Sequence, residues 1–151
     1  MSSACALETD LDALLERIGC DASRHMTGGP ASEDLARLEL AIGHVLPEAF
    51  RAFLRRFGGG LYYERHEIFG PTRTMIHDIE LVPPLPLVCR GLPSGVIPVH
   101  RVDAIIHFMD LRQCGTAVPV FSLTSHERYS DFPAFLRDVV APPRDATASI
   151  S

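Results

Sequence analysis

The chain has 151 residues, a length that buries roughly 68–70% of the unfolded surface, so one domain over 1–151 is expected, with its core at about 9–140. Its formal net charge of -5 lacks the basic excess that phosphate-backbone binding needs, so no nucleic-acid partner is expected. All 14 basic residues are Arg, and Lys and Asn are absent, which removes Walker-type phosphate loops, Schiff-base and Ser-Lys chemistry, Cys-His-Asn triads and N-glycosylation sites.

The opening MSSACALETD has neither a basic n-region nor an apolar h-region, so no export signal is expected. Thr9 caps a predicted first helix in which Leu11, Leu14, Leu15 and Ile18 repeat at i, i+3, i+4 and i+7, and Gly19 stops it. Residues 21–31 are polar, contain Gly and Pro, and read as a loop. Ser32 caps the second helix, with Glu33 and Asp34 in the first turn, where the helix dipole favours anions. Leu35, Leu38 and Ile42 form its buried stripe, and Gly43 suits a left-handed end. Leu46 follows, and Pro47 opens the third helix at its first position, where a missing N–H costs nothing. Phe50, Phe53, Leu54 and Phe57 line one face of that helix, and Gly58, Gly59 and Gly60 close it in a sharp reversal.

After Gly60 the period changes. Leu61–Tyr63 and Glu67–Phe69 read as short strands ended by Gly70-Pro71. Met75–Leu81 fits either element, and Pro83–Gly95, with four prolines and two glycines, reads mostly as loop. Val96–His100 is a strand whose proline favours an edge or a bulge, and Arg101–Asp103 make a turn. Ala104–Met109 is the clearest strand, with Ile105, His107 and Met109 on one face and Ile106 and Phe108 on the other. Ala117–Leu123 is a further strand and Thr124–Arg128 a turn. Ser130 caps a last helix carrying Phe132, Phe135, Leu136 and Val139 on one side, and residues 141–151 lack any apolar pattern, as a frayed tail would. Helices, then strands, then a helix make an α+β fold: a mainly antiparallel sheet with helices packed on one side.

The order of motifs resembles the SUKH superfamily, which includes yeast cell-wall regulators and many bacterial immunity proteins. Leu38-Glu39, Ile42-Gly43, Leu46-Pro47-Glu48, Phe50-Arg51, Phe53-Leu54 and Gly58-Gly59-Gly60 are similar to its opening "LE..LG..LP..yr.fl...nGG" pattern. Ile97-Pro98-Val99, Phe108-Met109-Asp110-Leu111, Val118-Pro119-Val120-Phe121 and the helix from Ser130 to Leu136 resemble its later pieces in the same order. The resemblance covers roughly residues 32–140. It implies binding rather than catalysis: an immunity or antitoxin-like protein that occludes a cognate toxin, or an adaptor domain, with no catalytic residue and no cofactor to transfer. Arg in place of Lys and Asn fits a GC-rich, bacterial genome.

The surface candidates lie in the segment from Tyr62 to Glu67. Tyr62, Tyr63, Glu64, Arg65 and His66 interleave aromatic and charged groups after a glycine reversal, which suits a protein-binding patch. The competing arrangement turns one Tyr into the core and leaves the rest solvated. Asp78, Glu80 and Asp103 add acidity that suits a basic partner. Seven histidines invite a metal reading, and His100, His107 and Asp110 form the alternative set for a small hydrolase or metalloenzyme. No H-x-x-x-H or H-E-x-x-H spacing occurs, so no metal site is expected, and satisfied histidines are the commoner outcome. Ser125, His126 and Glu127 are consecutive and read as a polar turn rather than converging catalytic groups. Cys5, Cys20, Cys89 and Cys114 form no C-x-x-C pair and are expected as reduced, buried thiols of a cytoplasmic protein. No apolar run is long enough to span a membrane, the longest being broken by Pro83, Pro84 and Pro86.

Overall fold

A computed structural model describes residues 11–19, 25–26, 32–62, 65–76, 78–112 and 118–140. The apolar spacing of the N-terminal part is realised as helix. Residues 11–19 form α1 and bury Leu14, Leu15 and Ile18. Helix α2 (Ser32–Ile42) buries Leu35 and Leu38, and α3 (Glu48–Phe57) buries Phe50, Phe53, Leu54 and Phe57. Each such side chain removed from water contributes about 1.5–3 kcal/mol, so this face outweighs local propensity. The helix starts differ by one residue from the expectation. Ser32 is the first helical residue, and Pro47 stands just before α3: its φ of -58° fits a helix but its ψ of 145° does not.

Glu39 fixes the corner between α2 and α3. Its carboxylate accepts from the Leu46 N–H at 2.8 Å and from the Arg51 guanidinium at 2.7 Å. Gly43 ends α2 with φ 82°, as expected, and its N–H donates to the Glu39 carbonyl. Gly58 ends α3 with φ 70° and donates to the Leu54 carbonyl. Gly59 serves a different need: a Cβ there would stand 2.5 Å from the Gly70 nitrogen, so the two backbones meet where no side chain fits.

Among the described residues seven strands form one antiparallel sheet. They are β1 (His25–Met26), β2 (Gly60–Tyr62), β3 (His66–Ile68), β6 (Val96–Val102), β7 (Ile105–Asp110), β8 (Val120–Ser122) and β9 (Arg128–Tyr129), in the order β1-β2-β3-β6-β7-β8-β9. The missing numbers are an excursion, the separate hairpin of β4 (Thr74–Ile76) and β5 (Ile79–Val82) followed by the short helix α4 (Leu85–Val88). The segment with no clear period is therefore a hairpin, turned at Asp78 with φ 67°. Strand β1 falls within the span expected as loop, since two residues carry no alternation signal, and α4 falls within the proline-rich span.

Strand β6 is longer than expected and sits in the middle of the sheet. Its proline is accommodated by a register shift between Pro98 and His100, the bulge rather than the edge. The turn to β7 is Asp103-Ala104, and Asp103 takes φ 54°, a left-handed conformation that Asp tolerates. Strand β8 is shorter than the expected strand, and β9 follows where a turn was expected to run on. Helix α5 (Phe132–Phe135) is capped by Asp131, not Ser130: the carboxylate accepts from the Ala134 N–H at 2.9 Å. It runs on into a π-helical turn over Leu136–Val140.

Helices α3 and α5 cover one sheet face. Phe53 meets Tyr62 at a centroid distance of 5.3 Å, Phe50 and Phe53 both meet Phe132, and Phe135 lies on His100 and His107. Along β2, β3, β6 and β7 the alternate residues Leu61, Glu67, Arg101, Ile106 and Phe108 are half-exposed on the opposite face, where Arg101 makes two hydrogen bonds to Glu67. This is the expected α+β arrangement. The first-helix cap Thr9 and the tail 141–151 lie outside the described residues.

Candidate functional site

Strand alternation and the β6 bulge bring three histidines to the covered face. His66 comes from β3, His100 from β6 and His107 from β7, with His100 directly opposite His107. All three are buried, His66 with 8% of its surface exposed and His100 with none. They form one line of contacts. His66 Nδ1 lies 2.9 Å from His100 Nε2, His100 Nδ1 lies 3.1 Å from His107 Nδ1, and His107 Nε2 lies 3.3 Å from Glu127 Oε1. Ser125 Oγ donates to the same Glu127 oxygen at 3.0 Å.

The carboxylate sets the direction of this line. A carboxylate only accepts, so His107 must donate from Nε2 and present a lone pair at Nδ1. His100 then donates from Nδ1 and accepts at Nε2, and His66 donates from Nδ1. All three rings are neutral and every link is satisfied. The lone pair left over is that of His66 Nε2.

Burial keeps the rings uncharged. It pushes His66 down to about 4, with the charge of Arg65 adding to the effect and Asp103 opposing it. His100 falls to about 2 through burial and its two histidine neighbours. His107 is lowered chiefly by burial, and Glu127 opposes that shift by bonding and by charge. Tyr129 is raised by burial and then by the adjacent Glu127.

His66, at the open end of the line, and His107 both line a surface cleft of about 410 Å3. Arg65 and His66 enter it from the β3 side, and Glu127 and Tyr129 from the β8–β9 side. Asp138 and Val139 reach it from the π-helical turn, an element that often marks functional sites. His126, at φ 61°, makes the turn that returns the chain at Glu127 toward His107.

The expected patch is divided by this geometry. Tyr62 is fully buried against Phe53 and Phe57, and its hydroxyl donates to the Gly58 carbonyl at 3.3 Å. It is a core residue, because the alternation of β2 turns it under α3. His66 is likewise turned inward and belongs to the histidine line. Tyr63 and Glu64 lie outside the described residues. Arg65 is exposed and pairs with Asp103 at 3.0 Å, so these two and His66 meet at one edge of the cleft. Asp78 and Glu80 are exposed on the β4–β5 hairpin instead, where Glu80 pairs with Arg73.

The set His100, His107 and Asp110 does not converge. His107 faces inward, whereas Asp110 is on the opposite face of β7 and holds Arg112 through two bonds of 2.9 Å, which lowers its carboxyl below the usual range. Among the described residues no three His, Cys, Asp or Glu side chains are placed to hold one metal ion. The two nitrogens of His100 are each taken by a different imidazole, so this line is not a chelate. Cys89 is half-buried, and burial raises its thiol to about 11, which keeps it a poor nucleophile.

Sequence reasoning paired His100 with His107, placed His66 in the surface patch and Glu127 in a polar turn, and did not join the four or find the cleft. The pairing of β3 with β6 across the β4–β5 excursion carries no local signal. Among the described residues no helix is long and apolar enough to cross a membrane. The sequence pattern of the SMI1 / KNR4 family (SUKH-1) matches residues 29–138. No curated protein matches the chain.

Proposed function

We propose that this chain, which belongs to the SMI1 / KNR4 family (SUKH-1), neutralises a cognate toxin by binding it through the rim of the histidine cleft and covering its surface. The observation that carries the reading is the mixed rim itself. Arg65, Glu127, Tyr129 and Asp138 line an open cleft together with His66, and Asp103 joins its edge by pairing with Arg65. Charged groups around an aromatic side chain suit partner recognition, and occlusion requires no reacting group on this chain. Tyr63 and Glu64 adjoin this edge in sequence and belong to the proposed surface. Asp78 and Glu80, on the separate hairpin, add negative charge that attracts a basic partner without touching it.

The test begins at the locus, which should carry a toxin gene next to this one, and measures protection of cells that express that toxin; a locus without one removes the toxin reading. The double variant Asp103→Asn/Asp138→Arg should lose protection by about tenfold or more at nearly unchanged melting temperature, because both side chains are exposed and Asn tolerates the left-handed backbone at 103 as Asp does. Glu80→Arg should protect nearly as well as the unaltered chain. Full protection by the double variant would remove the cleft rim from the interface. No protection by the unaltered chain would remove the toxin reading.

A further inference from the structure

We propose that the cleft receives a cationic hydrogen-bond donor, the guanidinium or ammonium group of an Arg or Lys side chain on the partner, and that His66 Nε2 is one of its acceptors. This deepens the reading above and rests on it. The first support is the direction of the histidine line. Glu127 makes His107 a donor at Nε2, so His100 and His66 both donate from Nδ1, and the unused lone pair falls on His66 Nε2. His66 lines the cleft, is more than nine-tenths buried, and its Nε2 has no hydrogen-bond partner among the described residues. A lone pair at the wall of the cleft is an acceptor that a bound donor can use.

The second support is the charge around it. Glu127 and Asp138 line the cleft as carboxylates, and Tyr129 supplies an aromatic wall. Among the described residues the one lining cation is Arg65, which is already engaged by Asp103 at 3.0 Å. Ile105, Val139 and Val140 complete the walls and suit the methylene stem of a long basic side chain. An anion would meet two carboxylates and a lone pair, and an apolar group would leave His66 Nε2 unanswered. A basic donor satisfies both.

The test uses blocked arginine (acetyl-arginine amide) and its neutral isostere, acetyl-citrulline amide, titrated into the full chain at neutral pH. The readout is the imidazole 15N resonances. Before titration the line predicts protonated Nδ1 on His66 and His100 and protonated Nε2 on His107. Arginine should shift the His66 Nε2 resonance saturably, with citrulline at least about tenfold weaker, since charge-assisted bonds are roughly twice as strong as neutral ones. Asp138→Asn, which leaves the Glu127–His107 contact in place, should weaken arginine several-fold and leave citrulline unchanged. No saturable shift, or equal response to the two compounds, overturns the inference. The two proposals fail differently. Toxin protection without any arginine response overturns this one alone, and an arginine response in a chain that gives no protection overturns the toxin reading alone.

Discussion

His107 Nε2 lies 3.3 Å from Glu127 Oε1, and this contact orients two further buried imidazoles behind it. The carboxylate sits in the turn just before β9 and is 46% exposed, while His107 has 1% of its side chain exposed, so one accessible charge dictates which ring nitrogens carry protons in the interior. Phe135 packs on His100 and His107 and Tyr129 on His107, which holds the rings in register and keeps bulk water from the links.

Removing the middle ring should therefore be costly. His100→Leu leaves His66 Nδ1 and His107 Nδ1 unpaired in the interior, at about 1–3 kcal/mol each. Urea unfolding of the variant should show a midpoint lowered accordingly at unchanged slope. A midpoint within error of the unaltered chain would mean that the line contributes nothing to stability.

Stability should also fall on mild acidification. The three histidines are held below their ordinary value near 6.5, His66 at about 4 and His100 at about 2. Above pH 6.5 neither the folded nor the unfolded rings are charged, and their contribution is constant. Below it the unfolded chain takes up protons that the folded chain refuses, so unfolding becomes easier by about 1.4 kcal/mol per pH unit for each such ring. For His66 the decline ends near pH 4. Denaturant melts between pH 7.5 and 5 measure the slope, and His66→Gln should reduce it by about one proton.

The close approach of Gly59 to Gly70 predicts a sharp contrast between glycines. Gly59→Ala puts a Cβ 2.5 Å from the Gly70 nitrogen and 2.8 Å from the Ile68 carbonyl, and backbone has no rotamer to yield. A loss at the upper end of the overpacking range, about 3 kcal/mol or more, is expected. Gly43→Ala meets open space and carries only the left-handed strain of φ 82°, about 1–2 kcal/mol. Thermal melts of the two variants should differ in that order.

Tyr62 separates a core role from a binding role. Tyr62→Phe removes one hydrogen bond to the Gly58 carbonyl, about 0.5–1.5 kcal/mol, and should protect against the toxin as well as the unaltered chain does. Tyr62→Ala should cost about 3–5 kcal/mol through the cavity left beside Phe53 and Phe57. Loss of protection by the Phe variant at unchanged stability would put the hydroxyl at the interface.

The parts of the fold that were legible are those written in a single period. The stripe from Phe50 to Phe57, the glycine reversal after it and the alternation of β7 carry their burial in their spacing. The helix starts at Pro47 and Asp131 slipped by one residue because a cap is decided by ψ and by one side-chain bond, not by composition. In the YYERHE segment Tyr62 follows the competing arrangement, with one Tyr in the core: it and His66 are cross-strand partners on the inward face, and only the position of α3 reveals which face that is. The histidine line was not legible as a whole. It joins residues 66, 100, 107 and 127, and its first link depends on β6 pairing with β3 after an intervening hairpin and helix.

Hydrogen–deuterium exchange of the chain with and without the toxin domain tests the proposed interface most directly. The account predicts slowed exchange confined to the cleft rim: residues 65–66, the β6–β7 turn around Asp103, residues 127–129 and the π-helical turn at Asp138. Slowed exchange confined to the β4–β5 hairpin, or to segments remote from that rim such as α2, would contradict it.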